Sequence, residues 1–78
     1  MCEVEIKLNT INDVKDLVSY VTGFDCDFEI VSGRFVVDAK SIMGIFSLDL
    51  SKELKLVIRS DDEFEVERIK NEIKRFIV

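Results

Sequence analysis

Apolar and polar residues alternate strictly at the start of the chain, with Val4, Ile6 and Leu8 on one side and Glu3, Glu5 and Lys7 on the other. A period of two is that of a strand with one buried face. The period then lengthens: Val14, Leu17, Val18 and Val21 recur at helical spacing. Residues 9–12 offer several N-caps, and Thr10 is the best of them, because it places Asp13 at N3 in a shortened capping box. Gly23 closes this helix. Cys26, Phe28 and Ile30 then alternate with Asp27 and Glu29, and Ser32-Gly33 turns the chain into residues 34–37, which predicts a hairpin. Ser41 caps a short helix around Ile42–Phe46, and a fourth strand runs over Leu54–Arg59. The last helix carries the strongest pattern. Ser60 and Glu63 form a capping box, Asp61 and Asp62 occupy the first turn, and Val66, Ile69, Ile73 and Phe76 line one face. Lys70, Lys74 and Arg75 sit toward its C-terminal end, where the helix dipole favours cations.

Strand, helix, strand, strand, short helix, strand, long helix is the order of an α+β fold in which helices cover one side of an antiparallel sheet. The 78 residues are expected to form a single domain over 1–78, with one shallow core. At 47% hydrophobic and 35% charged residues the balance is globular and far from that of a disordered chain. No apolar run approaches the roughly 20 residues of a bilayer-spanning helix, and no secretory pattern follows Met1, so a cytoplasmic location is expected. The net charge of −5 and the lack of a dense basic patch argue against nucleic acid and acidic membranes as partners. Two cysteines are too few for a disulfide scaffold, and with no histidine present a metal site or other cofactor is not expected. No nucleotide-binding loop, catalytic triad or spaced carboxylate pair is found, so the chain does not read as an enzyme. Asp61-Asp62-Glu63 lacks calcium-ligand spacing and reads as helix capping. Asp25 and Asp27 are expected to raise the pKa of Cys26 between them.

The run from Val37 through Asp38, Ala39, Lys40, Ser41, Ile42, Met43, Gly44, Ile45, Phe46, Ser47 and Leu48 resembles the central signature of the histidine-containing phosphocarrier (HPr) family of the bacterial sugar phosphotransferase system. The likeness is greatest to Gram-positive forms, where a serine at the Ser41 position is regulated by phosphorylation. Gly23-Phe24 fits the end of the family's first long helix. The resemblance implies an open-faced sandwich: four antiparallel strands ordered 1-4-2-3, covered on one face by two long helices and a short one. In that order Cys2 and Cys26 lie two strand spacings apart, about 9.5 Å, and should stay reduced.

The same resemblance implies that a phosphoryl-accepting histidine should precede the first long helix, followed by an arginine and a proline. Counting back from Phe24 without a gap puts Thr10, Asn12 and Asp13 at those positions. Threonine cannot hold a labile phosphoryl group as imidazole does, and Asp13 puts negative charge where positive charge is needed. The expected protein is therefore a divergent relative without histidine phosphotransfer, similar to the family's catabolite-repression variant. Its regulation would fall to Ser41, phosphorylated by the family's serine kinase and read by a transcriptional regulator. Ile42, Met43 and Phe46 would form the partner-docking face. The alternative is a binding or oligomerisation module in which Ser41 is only a cap. Val31, Val37 and Val57 are then expected to leave the uncovered sheet face partly apolar, which would favour a homodimer.

Overall fold

A computed structural model describes residues 1–78. The elements are β1 (Cys2–Ile6), α1 (Ile11–Thr22), β2 (Asp27–Ser32), β3 (Phe35–Asp38), α2 (Ile42–Phe46), β4 (Leu54–Arg59) and α3 (Glu63–Glu72), followed by a 3-10 turn over Lys74–Phe76. The four strands form one antiparallel sheet in the order β1-β4-β2-β3, the expected open-faced sandwich. No helix is long and apolar enough to cross a membrane.

Register decides which side chains meet. Val4 lies opposite Leu56, Leu56 opposite Ile30, and Ile30 opposite Val37, so these residues share the helix-covered face. Val14, Leu17 and Val21 of α1, Ile45 of α2, Ile69 of α3 and the following Ile73 are all fully buried against that face. Every buried residue is apolar, and no buried polar side-chain atom is left without a partner. The core therefore carries none of the desolvation cost that an unpaired polar group would bring.

Three sequence expectations are corrected. The last helix begins later than the Ser60–Glu63 box predicts: Asp62 is its N-cap, its carboxylate accepting from the backbone N–H groups of Phe64 (3.0 Å) and Glu65 (3.3 Å). Ser60 instead accepts from the Asp62 N–H and donates to Glu65 at 2.7 Å. A carboxylate at the cap also meets the positive end of the helix dipole, which favours Asp62 over Ser60. The same helix ends at Glu72, and Phe76 reaches the core from the 3-10 turn rather than from a continuous helix. The hairpin loop is Gly33-Arg34, one residue beyond the expected turn. Gly33 alone has a positive φ, +59°, as the first central position of a type II′ turn demands.

That shift also corrects the uncovered face. Val37 points into the sandwich and packs on the core, while Val36 takes the outer position beside Val31. Glu3, Glu5, Lys55, Arg59, Asp27, Glu29 and Asp38 share the outer face with Val31, Val36 and Val57, and Val57 is only 4% exposed. Pairs such as Arg59–Glu29 (2.8 Å) and Lys55–Glu3 (3.6 Å) cross it. The open face is thus mainly charged, and its apolar part is Val31, Val36 and Val57, with Val36 in the place expected for Val37.

The chain end returns to β1. Ile77 bridges Ile6, Lys7 N–H donates to the Phe76 carbonyl at 2.9 Å, and Val78 N–H donates to the Glu5 carbonyl at 3.0 Å. The outer edge of β1 is partly covered in this way, and β3 is left as the free edge of the sheet.

Candidate functional site

Thr10 has extended backbone (φ −135°, ψ 165°) and caps α1 as expected. Its Oγ1 accepts from the Asp13 N–H at 3.0 Å. Asp13 closes the box from the other side, one carboxylate oxygen accepting from the N–H groups of Asn9 (2.9 Å) and Thr10 (3.2 Å). Its second oxygen accepts from Arg75 at 2.9 Å, and the same guanidinium reaches Asp16 at 2.6 Å. Arg75 also lies over the Phe76 ring, 4.1 Å from its centroid. The Asn9 N–H, and next the Arg75 guanidinium, hold the Asp13 carboxyl below its usual range. The two N–H groups just before α1 therefore face a carboxylate supplied by the chain itself. No base stands against the Thr10 hydroxyl, whose oxygen is engaged in the cap.

Arg75 is the residue that sequence reasoning missed. It is 62 positions from Asp13, and from sequence it reads as a cation at a helix end. Only the return of the chain past β1 brings it to α1.

Ser41 caps α2, with Oγ accepting from the Gly44 N–H at 3.1 Å. The loop before it is pinned. Asp38 accepts from the Lys40 N–H at 2.8 Å, and the Asp38 carbonyl accepts from the Ser41 N–H at 3.0 Å. Lys40 Nζ donates to the Phe24 carbonyl at 2.9 Å and sits 5.8 Å from the centre of the Phe28 ring. Lys40 therefore ties this loop to the end of α1. Gly44 lies so close to Val37 that a Cβ there would come within 3.4 Å of it.

Of the four apolar residues in α2, only Ile45 is fully buried; Ile42 is half-buried, Phe46 is 38% exposed and Met43 is 78% exposed. The helices α1 and α2 pack against each other, and Ile11 in the first turn of α1 is 64% exposed. The spacing of Ile11 from Val14 and Val18 assigns it to the buried stripe, so no local signal marks it as exposed. The surface depressions of the molecule are lined elsewhere and include neither Thr10 nor any residue of α2. A surface without indentation, carrying exposed apolar side chains, suits a protein partner better than a small ligand.

Both cysteines are free thiols. The Cys26 pKa is raised as expected, but burial is the main cause and Glu65 the next, in place of the flanking Asp25 and Asp27. No three His, Cys, Asp or Glu side chains are grouped to hold a metal ion.

Residues 12–77 match the family model described as the PTS HPr component phosphorylation site. Among solved structures, HPr-C-His from Thermoanaerobacter tengcongensis is similar at 29% identity and TM-score 0.71, over 95% of this chain and 97% of that one. The phosphocarrier protein HPr from Bacillus anthracis is 21% identical, with TM-score 0.66 over 91% of this chain and 94% of that one. Crh of Bacillus subtilis, a catabolite repression protein described as a swapped, intertwined dimer, is 24% identical, with TM-score 0.65 over 94% and 87%. The latter two likenesses establish the fold alone. Comparison with curated proteins gives no significant match. The family match over most of the chain, together with the 1-4-2-3 sheet, makes this chain a member of the HPr family, whose proteins are phosphocarriers and not enzymes.

Proposed function

We propose that this chain is a regulatory, protein-binding member of the HPr family that does not transfer phosphate through histidine. One observation carries the reading: the chain contains no histidine, and Asp13, held by Arg75, sets a carboxylate beside Thr10 at the start of α1. An imidazole is the group that histidine phosphotransfer needs, and no alignment can supply one here. The remaining control point is Ser41, a half-buried N-cap on a pinned loop next to exposed Met43 and Phe46. A phosphate on Ser41 would add about two negative charges beside this docking surface and change which protein surfaces it accepts. The partners in this reading are a serine kinase of the HPr type and a transcriptional regulator that reads the phosphoserine, with Ile42, Met43 and Phe46 making the contact. A cytoplasmic location goes with such partners.

Incubation with a Gram-positive HPr serine kinase and ATP, followed by intact-mass measurement, tests the reading. One added phosphate is expected on the native chain and none on Ser41→Ala. An unchanged mass for the native chain would leave Ser41 as a cap and favour the second reading, a binding or oligomerisation module. The dimer described for Crh is the precedent for that alternative.

A further inference from the structure

β3 is the outermost strand, and unlike β1, which takes Ile77 on its outer side, it has no partner on its free edge. Phe35 and Val36 on this strand are 65% and 57% exposed. Short edge strands bearing charges commonly resist further pairing. Here the charges have a different arrangement.

The parity of the hairpin fixes which backbone groups are free. Ala39 N–H donates to the Phe28 carbonyl at 3.1 Å, so Val37 and Phe35, at steps of two, also turn their groups toward β2. Val36 and Asp38 therefore direct their N–H groups outward. Residues 34–38 read Arg, Phe, Val, Val, Asp. Laid antiparallel to itself about Val36, β3 sets Val36 against Val36 and Phe35 against Val37, and brings Arg34, the last residue of the turn, beside Asp38 at both ends. That register joins the outward-facing backbone groups of the two Val36 residues and brings opposite charges together at both ends.

Both charges are available. Neither Arg34 nor Asp38 forms an ion pair within the chain, and Asp38 uses only one carboxylate oxygen, on the Lys40 N–H. The register also leaves room for the helices. The two Val37 seats of α2 would stand about 8 Å apart, two residues along and one strand across, which is a helix-packing separation.

We infer that β3 pairs antiparallel about Val36 with β3 of a second copy of this chain, joining two four-stranded sheets into one of eight. The net charge of −5 on each copy opposes the association, and the paired Arg34 and Asp38 side chains offset that repulsion locally. The pairing does not depend on modification of Ser41.

Sedimentation equilibrium from micromolar to millimolar concentration is the test. The native chain is expected to dimerise, and Arg34→Asp and Asp38→Arg each to self-associate about tenfold more weakly or less, because each sets like charges opposite one another twice. An equimolar mixture of the two variants restores both opposite-charge pairs and is expected to dimerise again. In parallel, amide exchange at Val36 should slow as the native dimer fills. A native chain that stays monomeric at millimolar concentration would overturn the proposal. So would a dimer that both variants form unaided, as exchange of a whole strand between copies would produce. If Asp38→Arg does not fold, Arg34→Asp and the exchange of Val36 decide between the same outcomes.

Discussion

At the scale of the residue, the α1 N-terminus is governed by a carboxylate with three donors. Asp13 takes the N–H groups of Asn9 and Thr10 and an Arg75 guanidinium that is shared with Asp16. Its pKa is depressed in the folded chain, so its contribution to stability is fully present above the unfolded carboxylate value, about 3.9. That contribution is lost as pH falls through the lower folded value. Denaturant titrations between neutral and strongly acid pH should show native stability falling in acid, and the fall should be shallower for Asp13→Asn. A variant with the native slope would mean that the contact has no linkage to folding. Ser41→Ala removes an N-cap whose oxygen accepts from Gly44, and should cost about 1 kcal/mol in chemical denaturation. The Thr10 and Ser41 caps were legible in sequence because a cap is a contact between residues three apart. Arg75 was not, since no local pattern marks a contact across 62 residues.

Elements show where short-range rules compete. Both Ser60 and Asp62 can start the last helix on sequence alone. The structure selects Asp62, whose charge complements the free N–H groups, and gives Ser60 to Glu65. Asp62→Ala should therefore cost about 1 kcal/mol, and Ser60→Ala distinctly less, in paired thermal melts. Equal losses would restore Ser60 as the cap. In the hairpin, Gly33 has open space around it but a φ of +59°. Gly33→Ala should then destabilise the chain by about 1–2 kcal/mol through backbone strain alone, while Gly33→Asn is better tolerated. The one-residue displacement of this turn sent Val37 inward and Val36 outward. In a strand of period two, such a slip exchanges the faces of every residue.

Across the whole molecule, β4 lies between β1 and β2 and carries the centre of the core, with Leu54, Leu56 and Ile58 all fully buried. Ile58→Ala should cost about 2–5 kcal/mol. Tyr20, the single tyrosine in a chain without tryptophan, lies near Phe76 and can report the same transition as backbone circular dichroism. Coincident curves are expected for one cooperative core, and separated curves would show that the C-terminal turn opens on its own. The sequence by itself determined the kinds of elements, their order, most of the buried set and the absence of an imidazole, because periodicity, caps and composition are local or additive properties. Resemblance to the family supplied the strand order. Tertiary structure alone decided the Arg75 contact with α1, the covering of β1 by Ile77, the charged outer face and the free edge at β3. Each of these joins residues far apart in the chain, and such contacts form only when packing of the core fixes where the connecting segments return.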